Sequence, residues 1–493
     1  MKSISEGDLE FNIIEKKVFE IVCKAGRELL QEALESVDRE LMSMRDSEEY
    51  RSVGIRKTVI KTVMGEVSLK RRYYRDRNGE YVFLLDEALG INREFGLISQ
   101  NLAEQIVREC TEKSFRKASA SISELTGQHI TAQGAWDVVQ RLGEHIEHKE
   151  AELNAMSEQG ISGQLGNVTA QVLFTEADDI WLSLQRKKRN GKGSIVNRGI
   201  HRVKRPRKPL HIGTAYSGWQ QGNDGRYHTT DKIAYASFGN TREFKKGFEV
   251  LLTQRFDMDG VIHRIMNGDG ASWIRTMAEE TDSTLQLDTY HRNRAILTAV
   301  KDRNTRTAIF RAFANGDIDE ALHLILVLLT QSEDEETRVS LKNLSDYLHN
   351  NKDSLLTWQE RGLQLPEAPQ GREYRNPGTQ ESSNCNLITQ RMKHLKGSWS
   401  IEGASRMAKI LCYRRTIGLD AITGIRKPAG DNRKNDEASQ TLSAGRIAPT
   451  AGKGEDAGWL QSPLPFENAL LTNGRNAIRS MLRMKPVSEL SFL

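Results

Sequence analysis

At 493 residues the chain is too long for one simple core and leaves room for roughly two to four domains. Charged residues make up 28% but the formal charge is only +5, so contact with a polyanion has to come from local clustering of bases rather than from overall charge. Cys23, Cys110, Cys385 and Cys412 form no Cys-x-x-Cys pair, which argues against a structural zinc site or a disulfide framework. The start, MKSISEGDLEF, lacks the apolar core of a signal peptide. The longest apolar run, Ala321 to Leu329, is interrupted by His323 and is too short to span a bilayer. A cytoplasmic protein is therefore expected.

From Phe11 to Met44 apolar residues recur at helical spacing, which predicts a long amphipathic helix within residues 1–55 whose stripe packs in its own chain or on a second copy. Residues 56–92 read as a β-ribbon. Met64-Gly65 and Asn78-Gly79 mark its turns, and Val67, Leu69, Arg71 and Tyr73 alternate with Ser68, Lys70, Arg72 and Tyr74. Its bases, with Arg71 and Arg72 foremost, suit phosphate contacts. Residues 97–150 read as a helix-turn-helix region: a helix from Ser114 to Leu125 stops at Gly127, and Thr131 caps a second one. That helix would turn Ala135, Val138, Val139 and Leu142 inward and offer Gln133, Trp136, Asp137 and Gln140 to DNA. Glu150 to Gln164 reads as a linker.

The pattern then becomes α/β. In AQVLFTEADDIWLSLQ the period of two sets Val172, Phe174, Glu176, Asp178 and Ile180 on one face. Strands follow in PLHIGTAYSGW and KIAYASFG, and a helix from Arg242 to Phe256. A strand from Val261 then breaks at Asn267, Gly268, Asp269 and Gly270, which holds Asp269 at its carboxyl end. Ser283 to Tyr290 is a further short strand leading into His291 and a helix. This order predicts a mixed sheet in a core that begins at residues 165–298. Between the first two strands, residues 185–209 hold Arg186, Lys187, Lys188, Arg189, Arg202, Lys204 and Arg205 without one acid, a composition that favours contact with a polyanion. Residues 299–392 read as an all-α insertion, with a polar loop from Gln370 to Asn386. Residues 393–417 read as a returning helix with Glu402 in its first turn, and 418–493 as a poorly ordered tail.

Phosphoryl transfer with two cations about 4 Å apart needs oxygen ligands from separate elements. Asp178, Asp269 and Glu402 offer them in the order expected of a ribonuclease-H-like core. The segments TEADDIWLSLQ, NGDGASWI, LDTYHRNRAI and RMKHLKGSWSIEGA resemble the ISLre-type family of bacterial insertion-sequence transposases, which are distantly similar to mutator-type transposases. So does the ribbon ending in Tyr-Tyr-Arg-Asp and followed by LLDEALGI. The likeness runs from about Glu15 to Arg415, and the tail does not share it. It implies a ribonuclease-H-like α/β catalytic domain with an all-α insertion behind a helical and β-ribbon DNA-binding region. Its acidic triad maps onto Asp178, Asp269 and Glu402, which would hold two Mg²⁺ or Mn²⁺ ions, with His291 as an accessory residue. The partners implied are double-stranded DNA, as terminal inverted repeats and as target, and further copies of the chain in an active complex at the nucleoid. A DNA-binding repressor that no longer cuts, and a nuclease without strand transfer, are the alternative readings.

Overall fold

The computed structural model describes residues 11–89, 97–160, 166–185, 206–395 and 397–418. The chain divides into two compact units. Of the described residues, 11–89, 97–106 and 120–130 belong to one, and 107–119 and 131–418 to the other.

In the first unit helix α1 (Phe11–Met44) precedes the antiparallel ribbon β1 (Arg51–Thr62) and β2 (Gly65–Arg75), with a short β3 (Tyr81–Val82) and α2 (Leu84–Ala88). Leu34, Val37 and Leu41, from the second half of α1, pack on Ile60, Leu69 and Leu85. The first half leaves Phe11, Val18, Phe19 and Ile21 exposed. The turn at Asn78-Gly79 forms as its residues predict, with Gly79 at a φ of 87°. The ribbon's inward row is Val67, Leu69 and Arg71, all buried.

Helices α3 (Gln100–Glu112) and α4 (Phe115–Thr126) run across the division, and α5 (Ala132–Glu158) lies in the second unit. Thr131 caps α5 by accepting from the Gly134 N–H at 2.9 Å. The expected linker from Glu150 is helix instead as far as Glu158. Glu150 is buried, takes the Lys409 ammonium as its partner and accepts from the Tyr413 hydroxyl, which ties the start of this polar stretch to the fold.

The second unit is built on a five-stranded mixed sheet of β4 (Val172–Ser183), β5 (Arg207–Tyr216), β8 (Ile233–Ser237), β9 (His263–Gly268) and β10 (Thr284–Leu287) in the order β10-β9-β4-β5-β8. A small hairpin of β6 (Gly218–Gln221) and β7 (Tyr227–Thr230), which sequence patterning did not suggest, lies between β5 and β8 in the chain. Strands β4, β5 and β8 pair antiparallel, while β9 and β10 run parallel to β4. The parallel connections are made by α6 (Thr241–Arg255) and α7 (Ser272–Glu280). After β10 come α8 (Thr289–Ala299), α9 (Arg303–Ala314), α10 (Ile318–Gln331) and α11 (Glu335–Asn350). Their core of Ile296, Phe313, Ile325, Leu344 and Leu348 includes Leu287 of β10, so the helical insertion is rooted in the sheet.

The chain returns over the sheet through Trp358, Leu365 and Tyr374, which pack on Phe174, Tyr216 and Trp219. The expected polar loop then forms α12 (Gln380–Asn384), continued by a π-helical stretch Cys385–His394, before α13 (Ile401–Arg415) packs against α5 and β8. Among the described residues no helix is long and apolar enough to cross a membrane.

Candidate functional site

The site is built in two rows across three parallel strands. Register pairs Glu176 with Asn267, and Asn267 with Gln286. Two residues further along the chain come Asp178, within β4, and Asp269 and Asp288, just past the ends of β9 and β10. The first row is wholly buried and the second marks the carboxyl edge, where loops and helix ends converge.

Asp178 lies within β4. Its Oδ1 accepts from the Asp179 N–H at 2.7 Å and its Oδ2 from Asn384 Nδ2 at 2.6 Å. Burial pushes its carboxyl up to about 6; the nearby charge of Asp269 adds to this, and the hydrogen bonds and His291 oppose it. Asp179 points the other way and meets His211 Nδ1 at 2.6 Å. Asp269 follows β9 in a turn that Gly270 makes at a φ of 92°, a conformation that L side chains rarely adopt. A Cβ there would also lie 2.6 Å from Asn351 Oδ1. The Asp269 carbonyl accepts from the Tyr347 hydroxyl at 3.0 Å, so the insertion braces this turn. His291 stands in the first turn of α8, whose N-terminal N–H groups at Tyr290 and His291 are capped by Asp288 Oδ1 at 2.7 and 3.4 Å.

Asp178, His291 and Glu381 each bring one ligand atom within 4.8 Å of the others. Two carboxylate oxygens and an imidazole nitrogen form a donor set suited to a divalent cation, and the imidazole favours Mn²⁺ over Mg²⁺. A cation would also offset the burial and, to a lesser degree, the Asp269 charge that raise Asp178. Beside this group is a cavity of about 540 Å³ lined by Asp269, His291, Arg294, Asn343 and Tyr347.

Glu402 stands apart from the group. It does lie in the first turn of α13, but its side chain is 67% exposed and pairs with Arg406 one turn on at 3.0 Å. The third acid beside Asp178 is Glu381, on a helix where sequence patterning suggested a loop. A signal for the buried row was present in the sequence as Glu-Ala-Asp, Asn-Gly-Asp and Gln-Leu-Asp, a polar residue two before each edge acid, although Glu381 itself carries no such mark.

Two of the residues expected to touch DNA are turned inward. Arg71 is buried against Asp86, donates to Thr58 Oγ1 and stacks on Phe83. Gln140 is buried where α5 meets α13, beside Gly403. Arg72 pairs with the buried Asp38 at 2.6 Å. Gln133, hydrogen-bonded to Asp137, and Trp136 are exposed. Arg186, Lys187, Lys188, Arg189, Arg202, Lys204 and Arg205 lie outside the described residues.

Comparison with known proteins gives relatives but no assigned activity. A UPF0236 protein of Caldanaerobacter subterraneus subsp. tengcongensis, whose name carries eleven locus designations, is 24% identical over 411 residues, covering 82% of this chain and 77% of its own. A UPF0236 protein from the vanSb 3′ region of Streptococcus gallolyticus is 25% identical over 410 residues, covering 82% of each chain. Among solved structures, the pre-cleavage Mos1 transpososome matches at 9% identity over 51% of this chain and 78% of that one. Its TM-score of 0.12 is too low to carry an argument. The model of the uncharacterised protein family UPF0236 matches residues 4–422, and the chain belongs to that family.

Proposed function

We propose that this protein is an insertion-sequence transposase that cuts and joins double-stranded DNA by metal-dependent phosphoryl transfer, on a ribonuclease-H-like core. The observation that carries this reading is the convergence of Asp178, Asp269, His291 and Glu381 at one sheet edge, from two neighbouring parallel strands and two helices. It is supported by the sequence likeness to ISLre-type transposases. The eleven loci named for one relative are what a mobile element copied within a genome would leave.

Divalent cations, when bound, supply activation of the attacking water and charge neutralisation at the leaving 3′ oxygen. The chain's own residues hold them and aim the substrate. Asp178, Glu381 and His291 are the ligands closest together, and Asp269 adds a carboxylate from the adjacent strand. Asn384 and the Asp179 N–H each hold one oxygen of Asp178 and so orient its carboxyl, whose remaining lone pairs are left for a cation. Arg294, at the cavity, is poised to meet a phosphate of the DNA backbone. In this reading Glu381 takes the third acidic role and Glu402 is a surface residue.

The test is cleavage and strand transfer on duplexes carrying the sequences that flank the gene, in Mg²⁺ or Mn²⁺, beside a mobility-shift assay. Asp178→Asn and Glu381→Gln should keep DNA binding while losing cleavage by orders of magnitude, because metal ligands act as a unit. Glu402→Gln should cut within about threefold of wild type, as expected for a surface pair worth under about 1 kcal/mol. Binding without cleavage by the wild type in either metal would favour the repressor, and loss of cleavage in Glu402→Gln would return that residue to the site.

A further inference from the structure

We infer that Glu176 is a positioning residue of the candidate site: its buried carboxylate holds the start of the helix that carries Glu381 and Asn384, and so fixes both against Asp178. Its side chain is completely buried in the middle of β4, two residues before Asp178. Its oxygens accept from three consecutive backbone N–H groups, those of Gly378, Thr379 and Gln380, at 3.0 to 3.2 Å. They accept further from the Thr379 hydroxyl at 2.5 Å, the Tyr216 hydroxyl at 2.7 Å and Asn267 Nδ2 at 3.1 Å.

A helix start is usually satisfied locally, by a side chain at its own cap. Thr379 holds that position here, yet makes no cap and gives its hydroxyl to Glu176. A carboxylate buried in a sheet is a costly substitute for a local cap, and a chain that needed only a helix start would not require one. What the carboxylate adds is metrical. One strand now fixes Asp178 directly and, through Glu176, the helix that bears the neighbouring ligand and the amide that orients Asp178.

The same network reaches the other side of the site. Asn267 donates from one amide nitrogen to Glu176 and, at 2.8 Å, to Asp288, whose second oxygen caps the helix of His291. Lys232, partly buried nearby, donates to Ser383 Oγ at 2.6 Å, and the Glu176 charge favours its ammonium form against the effect of burial. No hydrogen bond joins Glu176 to Asp178, His291 or Glu381, so its effect passes through the helix of Glu381 and Asn384 and, through Asn267 and Asp288, through the helix of His291.

The inference rests on the metal reading of the site, and two readouts on the full chain separate them. Free Mn²⁺, followed by electron paramagnetic resonance, measures affinity; amide hydrogen exchange measures the anchoring of residues 378–385. Glu176→Gln, which keeps the shape but turns an amide NH₂ toward donors, should speed exchange there and weaken Mn²⁺ binding by about tenfold, the usual range for residues that orient ligands. Glu381→Gln should weaken Mn²⁺ binding without changing that exchange. The double variant should lose less Mn²⁺ affinity than the sum of the two single losses, because the part of the Glu176 effect that passes through Glu381 is gone once that carboxylate is replaced. Thr379→Val removes one donor without disturbing the buried charge, and should move both readouts the same way if Glu176→Gln fails to fold. Additive losses in the double variant, or wild-type Mn²⁺ affinity in Glu176→Gln with faster exchange, would overturn the positioning role. A wild type that binds no Mn²⁺ would overturn the metal reading, and exchange alone would then decide whether Glu176 anchors the helix.

Discussion

Asp178 combines two demands that pull against each other, a buried place in a strand and a charge to offer. Burial and the charge of Asp269 favour its protonated form, so its carboxyl sits at about 6, above the usual carboxylate range. The folded chain therefore binds more protons than the unfolded one between about pH 4 and pH 6, and the contribution of Asp178 to stability is present at low pH and lost as pH rises through about 6. A bound cation reverses this, since it binds only the ionised carboxylate. Mn²⁺ should accordingly raise the melting temperature little at about pH 5 and fully at about pH 7, and Asp178→Asn, which removes a ligand, should greatly reduce the shift at about pH 7. Scanning calorimetry across this range checks it; a Mn²⁺-induced shift independent of pH would mean that the ion is held elsewhere.

At the scale of elements, the ribbon decides what its bases can do. Alternation alone put Arg71 in the row of Val67 and Leu69, and the fold buries all three. A basic residue in an apolar row is better read as one half of a buried pair than as a phosphate contact. Replacing Arg71 by Met leaves Asp86 buried without its cation, and should cost about 3–5 kcal/mol in stability. Lys57→Gln and Lys70→Gln, on exposed positions of the same ribbon, should leave the melting temperature unchanged and weaken DNA binding. The reverse pattern in a denaturation and mobility-shift series would make Arg71 a contact residue after all. Strands and long helices were legible because each repeats its signal over many residues, as do Phe11 to Met44 and the period of two in β4. The helix bearing Glu381 was not. It begins in a polar stretch with no cap of its own, and the carboxylate that holds its start lies about 200 positions earlier in the chain. Glu402 drew notice for the opposite reason, as an acid in the first turn of a helix that the periodicity marks clearly and within a segment that carries the family resemblance.

For the molecule as a whole, a net charge of +5 over 493 residues gives almost no field with which to hold DNA. Two inward-turned residues, Arg71 and Gln140, cannot contribute. Attraction must then come from local runs, and residues 185–209 form the densest one without a compensating acid. In the chain they follow directly on β4, the strand that carries Asp178. Each phosphate neutralised releases counterions, and the plot of log affinity against log salt steepens by about 0.9 per contact. Changing Arg186, Lys187, Lys188 and Arg189 together to Gln should therefore flatten that slope by roughly 3 to 4 if all four meet phosphates. The loss should be similar for every duplex, because phosphate contacts carry no sequence information. Mn²⁺ affinity measured without DNA should stay at its wild-type value, since guanidinium and ammonium groups are not ligands of a divalent cation. An unchanged salt slope would remove this run from the DNA interface, and a fall in Mn²⁺ affinity would show that the substitutions had disturbed the site rather than the electrostatics of binding.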